Sequence, residues 1–160
     1  MGIRFTGTTR HTLDNKNRLM VPKDIRDAVP VNDKQELVFH LTLGFDECLY
    51  LLDEKGWLDF CEAIDRAEDP SSADDRNFSR LFYSSAAKTI CDSHGRILVP
   101  EELKKLVKIG RDVKLAGIKN RLEIWDLEAW DRHFAGHVGR YTELGCQVLA
   151  RLEARGGQRG

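Results

Sequence analysis

No apolar run approaches the eighteen residues a membrane-spanning helix needs, and the opening "MGIRFTGTTR" lacks the apolar stretch of a secretory leader. Both absences point to a cytoplasmic protein with no membrane partner. Cysteine is sparse: Cys48, Cys61, Cys91 and Cys146 stand 13, 30 and 55 positions apart, so no Cys-x-x-Cys pair can begin a zinc site or a redox motif. We read them as buried thiols. The chain has no glycine-rich phosphate loop, no nucleophile elbow and no metal triad. His133 and His137 are four apart and would share a helix face, but without a Glu between them or a third ligand nearby they read as surface histidines. These absences lead us to expect no enzyme, no metal, no cofactor and no small-molecule substrate.

Strong net charge is also missing. The formal charge of −1 is not the footprint of a generic nucleic-acid binder. Its distribution is uneven, however. Residues 1–26 hold six bases (Arg4, Arg10, Lys16, Arg18, Lys23, Arg26) against two acids, whereas residues 65–75 hold five acids against Arg66 alone. That separation predicts one basic face on an otherwise acidic molecule.

What the chain does have is a repeat. "HTLDNKNRLMVP" from His11 returns as "TICDSHGRILVP" from Thr89, with Asp14, Arg18 and Pro22 matching Asp92, Arg96 and Pro100 at an offset of 78. Gly44, Leu49, Leu51, Asp53 and Trp57 match Gly117, Leu122, Ile124, Asp126 and Trp130 at an offset of 73. The five-residue change falls at "PVNDK" (30–34), as expected when a duplicated unit drifts in a loop. Two such units are each too small to bury much core alone, so we expect them to pair into one intertwined barrel.

Each copy reads as strand, polar turn, strand, short helix, two strands and a closing helix. Gly95 can take the left-handed conformation of a tight reversal, and Asn17, at the equivalent place, tolerates it among non-glycine residues. Pro100 suits a helix start, Leu103, Leu106 and Val107 form an apolar stripe, and Gly110 is expected to stop the helix. Asp53 and Asp126 are candidate caps for the closing helices. Trp57, Phe60, Cys61 and Ile64, spaced i, i+3, i+4, i+7, are expected to be core. Between the copies "EDPSSADDRNF" reads as a linker, after which Phe78, Leu81 and Phe82 mark a short amphipathic helix. Tyr141, Leu144, Val148 and Leu152 continue a helical stripe suited to assembly, and "ARGGQRG" reads as a frayed tail.

A lone Asp-turn-Arg is commonly structural, the Asp accepting backbone N–H groups and the Arg pairing across the hairpin. Two copies with the same spacing, and with Lys16 and His94 at equivalent places, suggest a surface repeated for use. An Arg on a rigid projecting turn suits a bidentate contact with guanine O6 and N7. Asp14 and Asp92 could also meet as a carboxylate pair for acid-base work, but each is followed four residues on by an Arg that would neutralise it.

Taken together, "HTLDNKNRLMVP" with "GFDECLYLLDEKGW", "DRNFSRLFYSSA", and "ICDSHGRILVP" with "NRLEIWDLEAW" resemble the MraZ family of bacterial transcriptional regulators, relatives of AbrB-like swapped-hairpin DNA-binding domains. The likeness runs from about Phe5 to Phe134, with Asn17 departing from the turn glycine. It implies an α+β fold: two tandem AbrB-like (SpoVT-AbrB) repeats, at 5–68 and 85–135, forming an intertwined swapped-hairpin β-barrel with peripheral helices. A linker and short helix would fill 69–84, and a C-terminal helix and tail 136–160. It also implies a nucleoid-associated, cytoplasmic homo-oligomer, ring-like, binding short repeated double-stranded DNA boxes upstream of the division and cell-wall operon. Carried onto this chain, the DNA-binding residues are Lys16, Arg18, His94 and Arg96, with Asp14, Asn17, Asp92 and Gly95 supporting the turns. Because related swapped-hairpin domains act as antitoxins, a protein-interaction module is the alternative.

Overall fold

The computed structural model describes residues 3–157, which divide into two units after Leu127. Copy one comprises β1 (Thr8–Thr12), β2 (Arg18–Met20), α1 (Lys23–Ala28), β3 (Val38–Leu43), β4 (Leu49–Asp53) and α2 (Glu54–Ala67). Helix α3 (Ala73–Ser85) leads to copy two, which is β5 (Ala87–Ile90), β6 (Arg96–Leu98), α4 (Glu101–Leu106), β7 (Asp112–Ile118), β8 (Arg121–Asp126) and α5 (Leu127–His137). The order of elements expected from the repeat is present in both copies.

The two copies exchange their first strands. A six-stranded sheet runs β1-β7-β8-β4-β3-β5, so β1 of copy one lies against the third strand of copy two and β5 of copy two against the third strand of copy one. In the centre Leu49 faces Ile124, Leu51 faces Leu122, and Tyr50 faces Glu123. Tyr50 and Glu123 are equivalent at the offset of 73, so the sheet has a pseudo-two-fold axis at that pair. A separate antiparallel ribbon pairs β2 with β6, and here Leu19 faces Ile97, its own equivalent at the offset of 78. Both axes relate one copy to the other.

Alternation of side chains explains the core. Val113 and Leu115 of β7, Leu122 and Ile124 of β8, Leu49 and Leu51 of β4, and Phe39 and Leu41 of β3 point inward, where Leu13, Leu19, Val21, Ile97, Val99 and Leu103 join them. Strand β4 is buried throughout because α2 and α3 cover the outer face of copy one. Between those helices and the sheet lies an aromatic layer: Trp57 stacks on His40 at 5.0 Å and on Phe82 at 5.5 Å, and Phe60 meets Phe82 at 5.1 Å. Thr42 in β3 donates to the Phe82 carbonyl at 2.9 Å, tying α3 to the sheet. The aromatics of α2 are therefore packing residues, with Ile64 buried and Trp57 and Phe60 half-buried.

Local chemistry sets the helix ends. Asp53 caps α2 by accepting from Gly56 N–H at 2.8 Å, and Ser72 caps α3 by accepting from Asp75 N–H at 3.2 Å, contacts worth about 1 kcal/mol each. Because of the Ser72 cap, α3 begins inside the stretch expected to be linker. Helix α4 ends before Gly110: Lys108, with φ 55°, takes the left-handed position, and its N–H bonds to the Lys105 carbonyl. Leu106 is exposed, so Leu103 and Val107 alone form the buried stripe. Asp126 accepts from Gly110 N–H at 3.0 Å, fastening the end of β8 to the loop before β7. Residues 30–34, where the two offsets diverge, run into a turn over 32–36 in which the Asn32 carboxamide oxygen accepts from the N–H groups of Lys34 and Glu36.

The cysteine expectation needs correction. Only Cys48 is buried; Cys61 and Cys91 are half-buried and Cys146 is exposed on a helix. In the second unit a single 3-10 turn (Val138–Arg140) joins α5 to α6 (Tyr141–Gly156). The stretch expected to fray is helical through Gly156, and residues 158–160 lie outside those described. His133 and His137 stack at 4.3 Å on α5, and no group of three potential metal ligands occurs among the described residues. No helix among the described residues is long and apolar enough to cross a membrane.

Candidate nucleic-acid interface

The two polar turns have the same wiring. In the first, Asp14 Oδ1 accepts from the N–H groups of Lys16 and Arg18, both at 2.9 Å, and Oδ2 accepts from Arg18 Nε at 2.7 Å. In the second, Asp92 Oδ1 accepts from His94 at 2.9 Å and Arg96 at 3.0 Å, and Oδ2 accepts from Arg96 Nε at 3.0 Å. The tight reversals are closed by Asn17 N–H to the Asp14 carbonyl and Gly95 N–H to the Asp92 carbonyl, both 3.0 Å. Asn17 and Gly95 have φ of 58° and 83°, so the substitution of Asn for Gly preserves the turn.

Each carboxylate thus meets two backbone donors and a guanidinium. The Arg18 N–H is the leading cause that holds Asp14 at a pKa of about 2, and the Arg96 N–H lowers that of Asp92. Both are ionised at neutral pH, so neither carries the proton an acid-base pair would need. Their chemical effect is orientation. Each binds its arginine through Nε and turns the outer nitrogens away. Among the described residues, those of Arg18 have no protein partner, while those of Arg96 make only long contacts, 3.4 Å to His94 Nδ1 and 3.8 Å to Asp14 Oδ2. The last contact brings the two turns together.

The β2–β6 ribbon presents both arginines on one face. Arg18 and Met20 alternate with buried Leu19, and Arg96 and Leu98 with buried Ile97. Because Arg18 faces Leu98 and Met20 faces Arg96, the two arginines are diagonal neighbours, about 7–8 Å apart at the backbone. Lys16 and His94 are exposed at the turn tips beside them. The structure thus brings Lys16, Arg18, His94 and Arg96 to one end of the first unit, with Asp14, Asn17, Asp92 and Gly95 beneath.

Two residues outside that set also belong to the site. Val21 N–H donates to the Gly95 carbonyl and Val99 N–H to the Asn17 carbonyl, both at 2.9 Å, so each turn lies against the other copy. Over each turn sits a basic residue of the opposite copy's short helix. Arg26 covers Gly95, where a Cβ would come within 2.6 Å of its guanidinium carbon, and its Nε donates to the Val21 carbonyl at 2.9 Å. Lys104 donates to the Asn17 side-chain oxygen at 2.8 Å, while the Asn17 amide donates to Glu101 at 2.6 Å. Arg26 and Lys104 are equivalent at the offset of 78. That equivalence was a readable signal, but nothing in sequence says which turn each would cover.

Comparison with known proteins agrees with this duplicated architecture. The family model described as "MraZ protein, putative antitoxin-like" matches twice, over residues 4–81 and 82–137. The transcriptional regulator MraZ of Carboxydothermus hydrogenoformans is 34% identical over 91% of this chain and 96% of its own length. The proteins of the same name from Acetivibrio thermocellus and Natranaerobius thermophilus are 33% and 36% identical, covering 92% and 81% of this chain and 98% and 85% of their own. With two family matches spanning most of its length and relatives above 30% identity along nearly all of it, the chain belongs to the MraZ family.

Proposed function

We propose that this protein is a sequence-specific, DNA-binding transcriptional regulator that reads short repeated boxes with the β2–β6 ribbon and its two turns. The observation that carries the reading is the duplicated Asp–Arg lock, which places two oriented guanidinium groups side by side on an exposed antiparallel ribbon. A two-stranded ribbon fits the major groove, and an arginine with free outer nitrogens suits guanine O6 and N7. Arg18 and Arg96 are the direct base contacts, Lys16 and His94 add contacts from the turn tips, and the aspartates limit the rotamer entropy lost on binding. The exchanged first strands support a swapped-hairpin barrel built of repeats 5–68 and 85–135, with 69–84 joining them. The regulated region is that of the division and cell-wall operon, and the protein works in the cytoplasm at the nucleoid.

A net charge of −1 leaves each subunit few phosphate contacts. A ring-like homo-oligomer offsets this, because linked subunits meet neighbouring boxes at high effective concentration. The test is a mobility-shift titration on the DNA upstream of the gene against a scrambled duplex, at two salt concentrations. Selective, salt-sensitive shifts that strengthen steeply with box number are expected. Equal affinity for both duplexes refutes the reading, and equal affinity for one box and several refutes the ring.

One observation favours an additional protein-interaction role: Tyr141, Val148, Leu149 and Leu152 of α6 are all more than half exposed. A chain ending near Gly139 separates the roles. Loss of self-assembly assigns α6 to the ring, and loss of a captured partner alone assigns it to the antitoxin-like alternative.

A further inference from the structure

The outward face of the β2–β6 ribbon carries more than its arginines. Met20 and Leu98, equivalent at the offset of 78, are 40% and 54% exposed there, while the residues between them and their arginines, Leu19 and Ile97, are fully buried. The register sets the four outward side chains in a checkerboard: Arg18 is opposite Leu98, Met20 is opposite Arg96, and along each strand an apolar residue stands two places from an arginine. Every guanidinium therefore has an apolar neighbour both across and along the ribbon.

That alternation decides what the apolar pair suits. A protein-binding patch gathers its apolar residues at the centre and keeps charge to the rim. Here two arginines stand inside the patch, and burying their outer nitrogens against an apolar protein surface would strip them of water without partners. The DNA major groove offers the complementary pattern, because guanine presents two acceptors and thymine presents a methyl group on the same edge. We infer that Met20 and Leu98 are specificity-determining residues that contact thymine C5-methyl groups next to the guanines read by Arg18 and Arg96. This inference rests on the proposed DNA-binding function and deepens it: each half of the ribbon reads a guanine and a nearby thymine as one unit, and the pseudo-two-fold axis at Leu19 and Ile97 gives the two halves opposite polarity.

Replacing thymine by deoxyuridine removes only the methyl group, so the DNA itself supplies the variant and the protein is used unchanged. The probe is the duplex that the full-length protein shifts most tightly among random sequences, prepared with thymine or with deoxyuridine at one box position at a time. Affinity is expected to fall about fourfold at each contacted thymine, the equivalent of one buried methyl group. Met20→Ala and Leu98→Ala, both at exposed positions, should each bind the thymine duplex more weakly and lose the difference between thymine and deoxyuridine at the position that side chain contacts, with unchanged circular dichroism. Selective binding that is indifferent to deoxyuridine at every position overturns the inference and leaves the DNA-binding reading standing. Equal thymine dependence in the alanine variants assigns the methyl contacts to other residues and also overturns it. Failure to select any sequence overturns both.

Discussion

The arginines of the ribbon are held through Nε, and among the described residues the outer nitrogens of Arg18 have no protein partner while those of Arg96 make only long contacts. Asp14 and Asp92 each spend one carboxylate oxygen on the turn backbone and the other on Nε, so the outer guanidinium edge is oriented before any ligand arrives. On this basis Arg18→Ala and Arg96→Ala should each lower affinity for box DNA about tenfold to a hundredfold, the range of one bidentate base contact, with the circular dichroism spectrum unchanged. Unaltered affinity in a folded variant would remove that residue from the interface. The aspartates make a separate prediction about acid. Asp14 falls from an ordinary 3.8 to about 2 in the folded chain, and Asp92 shifts the same way. Their contribution to stability is therefore complete above pH about 4 and is lost as pH falls toward about 2. Asp14→Asn should flatten the acid-unfolding curve across that window and leave the neutral region parallel to wild type.

At the scale of elements, each short helix covers the other copy's turn, and the two pairings are chemically different. Asn17 needs an acceptor and a donor, which α4 supplies as Glu101 and Lys104; at the equivalent places α1 has Lys23 and Arg26, two donors. Gly95 leaves room for the Arg26 guanidinium. Gly95→Asn should displace Arg26 from the Val21 carbonyl and lower the melting temperature by roughly 2–4 °C. Adding Arg26→Lys recreates the Lys–Asn pairing of the other copy and should recover most of that loss. Purely additive losses in the double variant would show that the helix residue and the turn residue do not act as a pair. The helix ends show how far local sequence reaches. The caps Asp53 and Ser72 hold residues three positions away; the Asp53 cap is read from spacing, whereas Ser72 lies in the stretch expected to be linker. The stop of α4 differs from the one expected at Gly110, because Lys108 takes the left-handed turn once Val107 and Ile109 are both drawn into the core.

At the scale of the whole molecule, the exchange of first strands makes one core from two copies. Gly117 is where that exchange is tightest: its N–H donates to the Gly7 carbonyl at 2.8 Å, and a Cβ there would sit 2.5 Å from the backbone nitrogen of Thr6. Since backbone cannot swing aside as a side chain can, Gly117→Ala should cost about 1–3 kcal/mol in urea unfolding. A neutral result would mean that the segment before β1 can leave the sheet without loss.

The duplication, the Asp–Arg turns, the left-handed Asn17 and the Asp53 cap were all determined by sequence alone. Each is a contact within about four residues, or a match between the copies, and needs no knowledge of what lies opposite. Tertiary structure decided the partners. Alternation with a period of two says which face of a strand is buried, but like copies and unlike copies would bury the same face equally well. That β1 joins β7, that Arg26 covers Gly95, and that Met20 and Leu98 stand exposed among the arginines depends on contacts between residues 69 to 108 positions apart. Only the folded chain brings those positions within reach of one another.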